Sequence, residues 1–331
     1  MSGRATAFTS SFLRIDEPRT VEAIKTYLRK IYGQQSAEGV SIGLSGGLDS
    51  AVLTTLAVLA LGKQQVHATY LFDRDSKRTI GRNARMFADW LGLELRTKSI
   101  EPEMRARGIY ALPNIHIVSL WGPISRCLHR VYCLKFGETP FISSLRLGGT
   151  DSSNQEPHGP VFRRALRQIE NGIYTRHIYR REILEQEARD QNWLLLGAAN
   201  RTEWLVGWFV KSGIDDLPIQ PLIGLYKTQV RQLAAFLGIP DPVQSQAPSM
   251  DMIRGITDEF AIGMCYSNTD IILDFLEGGL TDEQVSKAGI TQKDIHQVRE
   301  MKCLSSWKRT PAGTQPPVDG GPKGGFRISR A

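Results

Sequence analysis

Six consecutive residues, Ser45-Gly46-Gly47-Leu48-Asp49-Ser50, combine the backbone freedom and the side chains that an anion site requires. Gly46 and Gly47 let backbone N–H groups turn towards a phosphate with no Cβ in the way. Ser45 and Ser50 add hydroxyl donors. A helix starting near Asp49 would aim its positive N-terminal end at the same phosphate. Asp49 is a hard oxygen ligand, suited to holding Mg²⁺ against a pyrophosphate. No lysine follows in the G-x-x-x-x-G-K-[ST] pattern, which disfavours transfer of a γ-phosphoryl group, and the loop is not G-x-G-x-x-G either. The bland alternative is a Gly-rich helix start that binds nothing.

The elements around this loop must place it at the end of a strand. Val40–Leu44 reads as a short buried strand and 49–61 as an apolar helix. The preceding stretch 17–33 has Val21, Ile24, Tyr27, Leu28 and Ile31 on one helix face, with Gly33 as its C-cap. Further strands are predicted at 66–72, 93–97 and 193–197, and further helices at 79–91, 176–191 and 226–237. This alternation predicts an α/β fold: a doubly wound parallel sheet with a C-terminal helical region. Residues 104–165, with Pro113, Pro123, Pro140, Pro157 and Pro160, read as an inserted irregular segment. A single domain over 1–309 carrying that insertion is expected, followed by a Pro/Gly-rich tail at 310–331.

Composition narrows the class. Hydrophobic residues make up 41% of the 331, and no apolar run reaches the ~18–20 residues that span a bilayer. With no apolar secretory segment at the N-terminus, a cytoplasmic enzyme is expected. Cys127, Cys133, Cys265 and Cys303 form no C-x-x-C pair, so neither a zinc site nor a disulfide framework is expected. The net charge of +7 fits phosphorylated ligands, and Arg163, Arg164, Arg167, Arg176, Arg180, Arg181 and Arg189 concentrate it. Most of these read as a solvated helix face, with a phosphate-facing role for two or three as the sharper reading.

The S-G-G-x-D-S loop after a strand resembles the PP-loop of the ATP pyrophosphatases, which cleave ATP between the α and β phosphates. Within that superfamily, Leu194–Lys211 (LLLGAANRTEWLVGWFVK) and Pro221–Gly238 (PLIGLYKTQVRQLAAFLG) resemble the NAD synthetases. So do Ala247-Pro248-Ser249, Thr257-Asp258-Glu259 and Ile262-Gly263. The resemblance spans about 40–100 and 170–310. It implies that Ser45, Gly46, Gly47, Leu48, Asp49 and Ser50 bind ATP and that Asp49 and Glu203 coordinate Mg²⁺. It further implies that Lys227 contacts a phosphate, that Lys308 reaches the ATP site, and that Arg176 helps hold the dinucleotide. Lys227 and Lys308 have a rival reading as surface lysines. Glu203 has one as a first-turn acid in a helix capped by Asn200.

Departures from the family pattern fall mainly on the acceptor side, although the one at Ala198 removes a hydroxyl near the ATP. Gly197-Ala198 replaces Gly-Thr, and Trp307 replaces a histidine before Lys308. In Lys211–Pro221 the family's two loop aspartates become Ile214 and Pro218, while Asp215 and Asp216 lie out of the family's register and would need a register shift to compensate. The implied activity is ATP-dependent amide formation: a carboxylate is adenylated, pyrophosphate leaves, and ammonia displaces AMP. The acceptor is deamido-NAD or, in a paralogue, another carboxylate. Ammonia comes free or from a separate glutaminase, and a homodimer is expected. An RNA-modifying enzyme and a non-catalytic nucleotide binder are the remaining readings; paired cysteines typical of sulfur-inserting members are absent, and nucleic acid is not the expected partner.

Overall fold

The computed structural model describes residues 12–111, 122–148 and 160–309. Four parallel strands form one sheet in the order β3-β2-β1-β4. They are β1 (Gly39–Gly43), β2 (Val66–Phe72), β3 (Leu95–Ser99) and β4 (Trp193–Leu196). Ile42 of β1 sits in register with Ala68 on one side and Leu196 on the other. Alternate residues take opposite faces, as strand geometry demands. Val40, Ile42, Ala68 and Tyr70 enter one core with the helices Glu17–Gln34, Leu48–Leu61, Arg78–Leu91 and Lys227–Phe236. Leu71 and Leu195 pack on the other face around Leu184 of the long helix Pro160–Asp190. The sheet is therefore covered on both faces, which suits the apolar strands β1, β2 and β4.

Leu48–Leu61 is apolar on nearly every side, and its residues from Ser50 to Ala57 are all buried. Its position in mid-core fixes the loop before it rigidly to the end of β1. A second apolar cluster gathers Arg201–Val206, Tyr266–Leu276, Gln292–Leu304 and Pro140–Gly148 into the C-terminal helical region. Among the described residues no helix is long and apolar enough to cross a membrane.

The structure departs from expectation in three places. Gly33 lies inside the first helix, which runs to Gln34 and is capped by Gln35. The helix expected from 176 begins at Pro160. The described parts of 104–165 are largely helical, with Gly122–Phe136 and Pro140–Gly148 where an irregular segment was expected. The reason is proline placement. Pro123, Pro140 and Pro160 all stand in first turns, where the missing N–H has no intrahelical partner to lose. Pro113, Pro157 and the 310–331 tail lie outside the described residues.

Candidate active site

The loop Ser45–Ser50 leaves the C-terminal end of β1, between β2 and β4, where the chain's strand order reverses direction. Open α/β sheets bind ligands at such a switch point. Gly46 has φ +79°, and a Cβ there would come within 2.3 Å of the Ile80 carbonyl oxygen. Gly47 caps the helix Leu48–Leu61 without any side-chain cap bond, so the first amides stay open to an anion. Ser45 and Ser50 fix the turn: their hydroxyls lie 3.1 Å apart, and the Ser45 N–H donates to Ser50 Oγ at 3.2 Å.

Lys227 opens its helix from the opposite side of the switch point, with 2% of its surface exposed. Its ammonium bonds Asp49 Oδ2 and lies 3.4 Å from Glu203 Oε1. Asn200 Nδ2 donates to Asp49 Oδ1 at 3.0 Å. The Asn200 side chain also accepts from the Glu203 N–H at 3.0 Å, and Glu203 completes the capping box of Arg201–Val206. The first-turn reading of Glu203 is therefore met by its capping box, and the same carboxylate also faces Lys227. Behind it the Lys227 N–H donates to Thr202 Oγ1 at 2.9 Å, and Thr202 donates to Asp270 Oδ1 at 2.5 Å.

Charge follows from this crowding. Burial pushes the Glu203 carboxyl above its ordinary range, with Asp49 and Asp258 adding to the shift and Lys227 opposing it. Burial likewise raises Asp258, to about 6, against the pull of Lys227. Burial alone would lower Lys227, but Asp49 and Glu203 outweigh it and hold the amine above its usual range. A triphosphate arriving here would meet a fixed cation and two carboxylates able to share a divalent ion.

These groups line a cavity of about 650 Å³, a size suited to small ligands. Lys308 is buried in its wall, where it donates to the carbonyls of Gly207 at 2.9 Å and Phe209 at 2.8 Å. Burial holds its amine down to about 8, although Glu170, Asp215 and Asp216 pull the other way. Of the two aspartates beside the altered loop positions, only Asp215 faces the cavity, with Oδ2 2.8 Å from His177 Nδ1. Asp216 instead closes its own turn, accepting from the Ser212 N–H at 2.8 Å. Ile214 lines the cavity and Pro218 is exposed.

Arg176 is placed elsewhere. It is 1% exposed, with its guanidinium 3.0 Å from Asp73 Oδ2 and 2.7 Å from Asp75 Oδ2, and it does not line the cavity. Its neighbours His177 and Arg180 do line it, together with Glu170, Ile173 and Tyr174. That face of the long helix was the part the motif reading missed; its signal was the i, i+3, i+4 spacing from Glu170 to Arg180.

Comparison with known proteins adds the family. The NAD synthase family model matches residues 20–113 and 164–312. The chain belongs to the NAD synthase family. The NH3-dependent NAD(+) synthetase of Thermotoga maritima is 33% identical, aligned over 82% of this chain and 92% of that protein. That of Methanosarcina acetivorans is 27% identical over 92% of this chain and 98% of its own. Among solved structures, NMN synthetase from Francisella tularensis superposes with a TM-score of 0.64 at 24% identity, covering 91% of this chain and 99% of that one. NH3-dependent NAD synthetase from Campylobacter jejuni gives 0.59 at 18%, covering 90% and 98%. Both show the fold. The activity is that of the family: an ATP-dependent, amide-forming ligase. The NAD synthase model leaves 114–163 unmatched, and the helices in that stretch contribute Leu128, Tyr132 and Phe141 to the cavity wall.

Proposed function

We propose that the chain adenylates a small-molecule carboxylate with MgATP and amidates it with ammonia, releasing pyrophosphate and AMP. The convergence of Asp49, Glu203 and Lys227 at the open end of the Ser45–Ser50 loop carries this reading. In it the loop amides and the hydroxyls of Ser45 and Ser50 hold the phosphates, while Leu48 anchors the helix start in the core. Lys227 follows the charge from carboxylates to phosphate, and Lys308 supports the cavity wall through the Gly207 and Phe209 carbonyls.

Asp49 and Glu203 suit Mg²⁺ by donor chemistry. Both are hard oxygen donors, and this ion commonly takes one or two carboxylates plus substrate phosphates. Mg²⁺ held there supplies charge neutralisation to the departing pyrophosphate. Arg176, tied to Asp73 and Asp75, shapes the β2 end in this reading rather than touching the acceptor.

The relatives' names point to deamido-NAD as the acceptor. A second reading, a different carboxylate, is favoured by the loop: Ile214 presents no acceptor, Pro218 is exposed and Asp216 is engaged in its own turn. A homodimer acting in the cytoplasm, with 1–309 as one domain, completes the proposal. ATP–pyrophosphate exchange measured with deamido-NAD and with nicotinate mononucleotide tests it. Exchange that requires one of these carboxylates is the expected result, and no exchange with either contradicts the proposal.

A further inference from the structure

Amide formation from an acyl-adenylate leaves one proton to be placed. The ammonia lone pair forms the C–N bond, the acyl–phosphate C–O bond breaks, and AMP leaves with its electron pair. The nitrogen then carries one proton more than the amide product keeps. As AMP departs, that nitrogen becomes part of a protonated amide, a strong acid, so a carboxylate can receive the proton. Asp49 and Glu203 are occupied with Lys227.

Among the described residues four further carboxylates line the cavity; burial holds Glu170, Asp251 and Asp258 above their ordinary range, whereas Asp215 stays below its own and has a histidine beside it. Asp215 keeps 37% of its side chain accessible, and it lines the cavity. Its Oδ2 lies 2.8 Å from Nδ1 of His177, which projects from the long helix and is 8% exposed. Both imidazole nitrogens of His177 are buried and form no well-directed hydrogen bond among the described residues, so the aspartate is the polar group nearest to hand. Burial alone would raise the Asp215 carboxyl, but His177, Arg180 and Lys308 outweigh it and hold the group below its ordinary range. Gly213 holds the loop against this helix: a Cβ there would come within 3.0 Å of the His177 Cβ.

We propose that Asp215 holds the attacking ammonia and accepts its surplus proton, with His177 as the positioning residue that keeps the carboxylate turned into the cavity. The loop has lost the side-chain acceptor at Ile214, and the helix supplies a histidine that secures its neighbour. This inference rests on the amidation reading above and concerns its second step only.

The test separates the two steps. Wild type, Asp215→Asn and His177→Gln are compared by ATP–pyrophosphate exchange and by amide formation against ammonium concentration, using whichever of deamido-NAD and nicotinate mononucleotide supports exchange in wild type. For Asp215→Asn, amide formation should fall about 100-fold relative to exchange, the usual size of a lost proton acceptor. For His177→Gln, which disturbs the carboxylate's placement without removing it, the ammonium KM should rise roughly tenfold with exchange little altered. Exchange and amidation falling in equal proportion in both variants would overturn the assignment, as would unchanged amidation in Asp215→Asn. A wild type without exchange speaks against the proposed function itself, a different result.

Discussion

Lys227 stands between two carboxylates that would repel each other without it. Removing either carboxylate leaves the lysine with a partner, so the fold should survive while the metal and phosphate arrangement is lost. Asp49→Ala and Glu203→Ala should each lower ATP–pyrophosphate exchange on the order of 100-fold, comparable to losing a preorganised charge-stabilising group. Near-native exchange at saturating Mg²⁺ in either variant would show that the residue does not serve the departing pyrophosphate. Lys308 makes a separate, pH-dependent prediction. Its folded-state amine is held near 8, below the ordinary 10.5. Between those values the unfolded chain binds more protons than the native one, so this group's contribution to stability rises with pH across that window and is constant below it. In denaturant titrations the wild type should gain stability relative to Lys308→Met from about pH 8 to 10.5; parallel curves would show that the amine is not held down.

At the scale of elements, Gly46 is constrained twice, by its left-handed backbone and by the Ile80 carbonyl. Gly46→Ala should therefore cost about 1–3 kcal/mol in a denaturant titration and abolish exchange, since relief of the clash requires moving the loop. An unchanged midpoint would show that the loop has room. The loop itself was legible in the sequence because its chemistry is local: glycines, hydroxyls and an acid within six positions, between a β-branched strand and an apolar helix. So were the strands β1, β2 and β4, whose apolar runs carry the strand signal by themselves; the polar edge strand β3 was placed by its spacing after a helix. The helices Gly122–Phe136 and Pro140–Gly148 were not, because prolines that start helices look like prolines that break them. Nor was the pairing of Asp215 with His177, which depends on how a loop settles against a helix. Arg176 shows the converse: the motif marked it, yet the β2 end claims it with two buried aspartates.

For the whole molecule, the doubly covered sheet makes a rigid platform and the helices of 122–148 wall the cavity beside it. The proposed homodimer should give a light-scattering mass of twice the 36.9 kDa chain; a monomer mass at micromolar concentration would remove it. The account's central claim, though, is about which bond of ATP breaks. A loop without the phosphate-binding lysine of γ-phosphoryl transfer, facing Asp49, Glu203 and Lys227, predicts cleavage between the α and β phosphates. Quantifying nucleotide products during turnover with ammonia and the accepted carboxylate tests this most directly. AMP and pyrophosphate formed in equal amounts with the amide are the predicted result, and ADP with inorganic phosphate would contradict it.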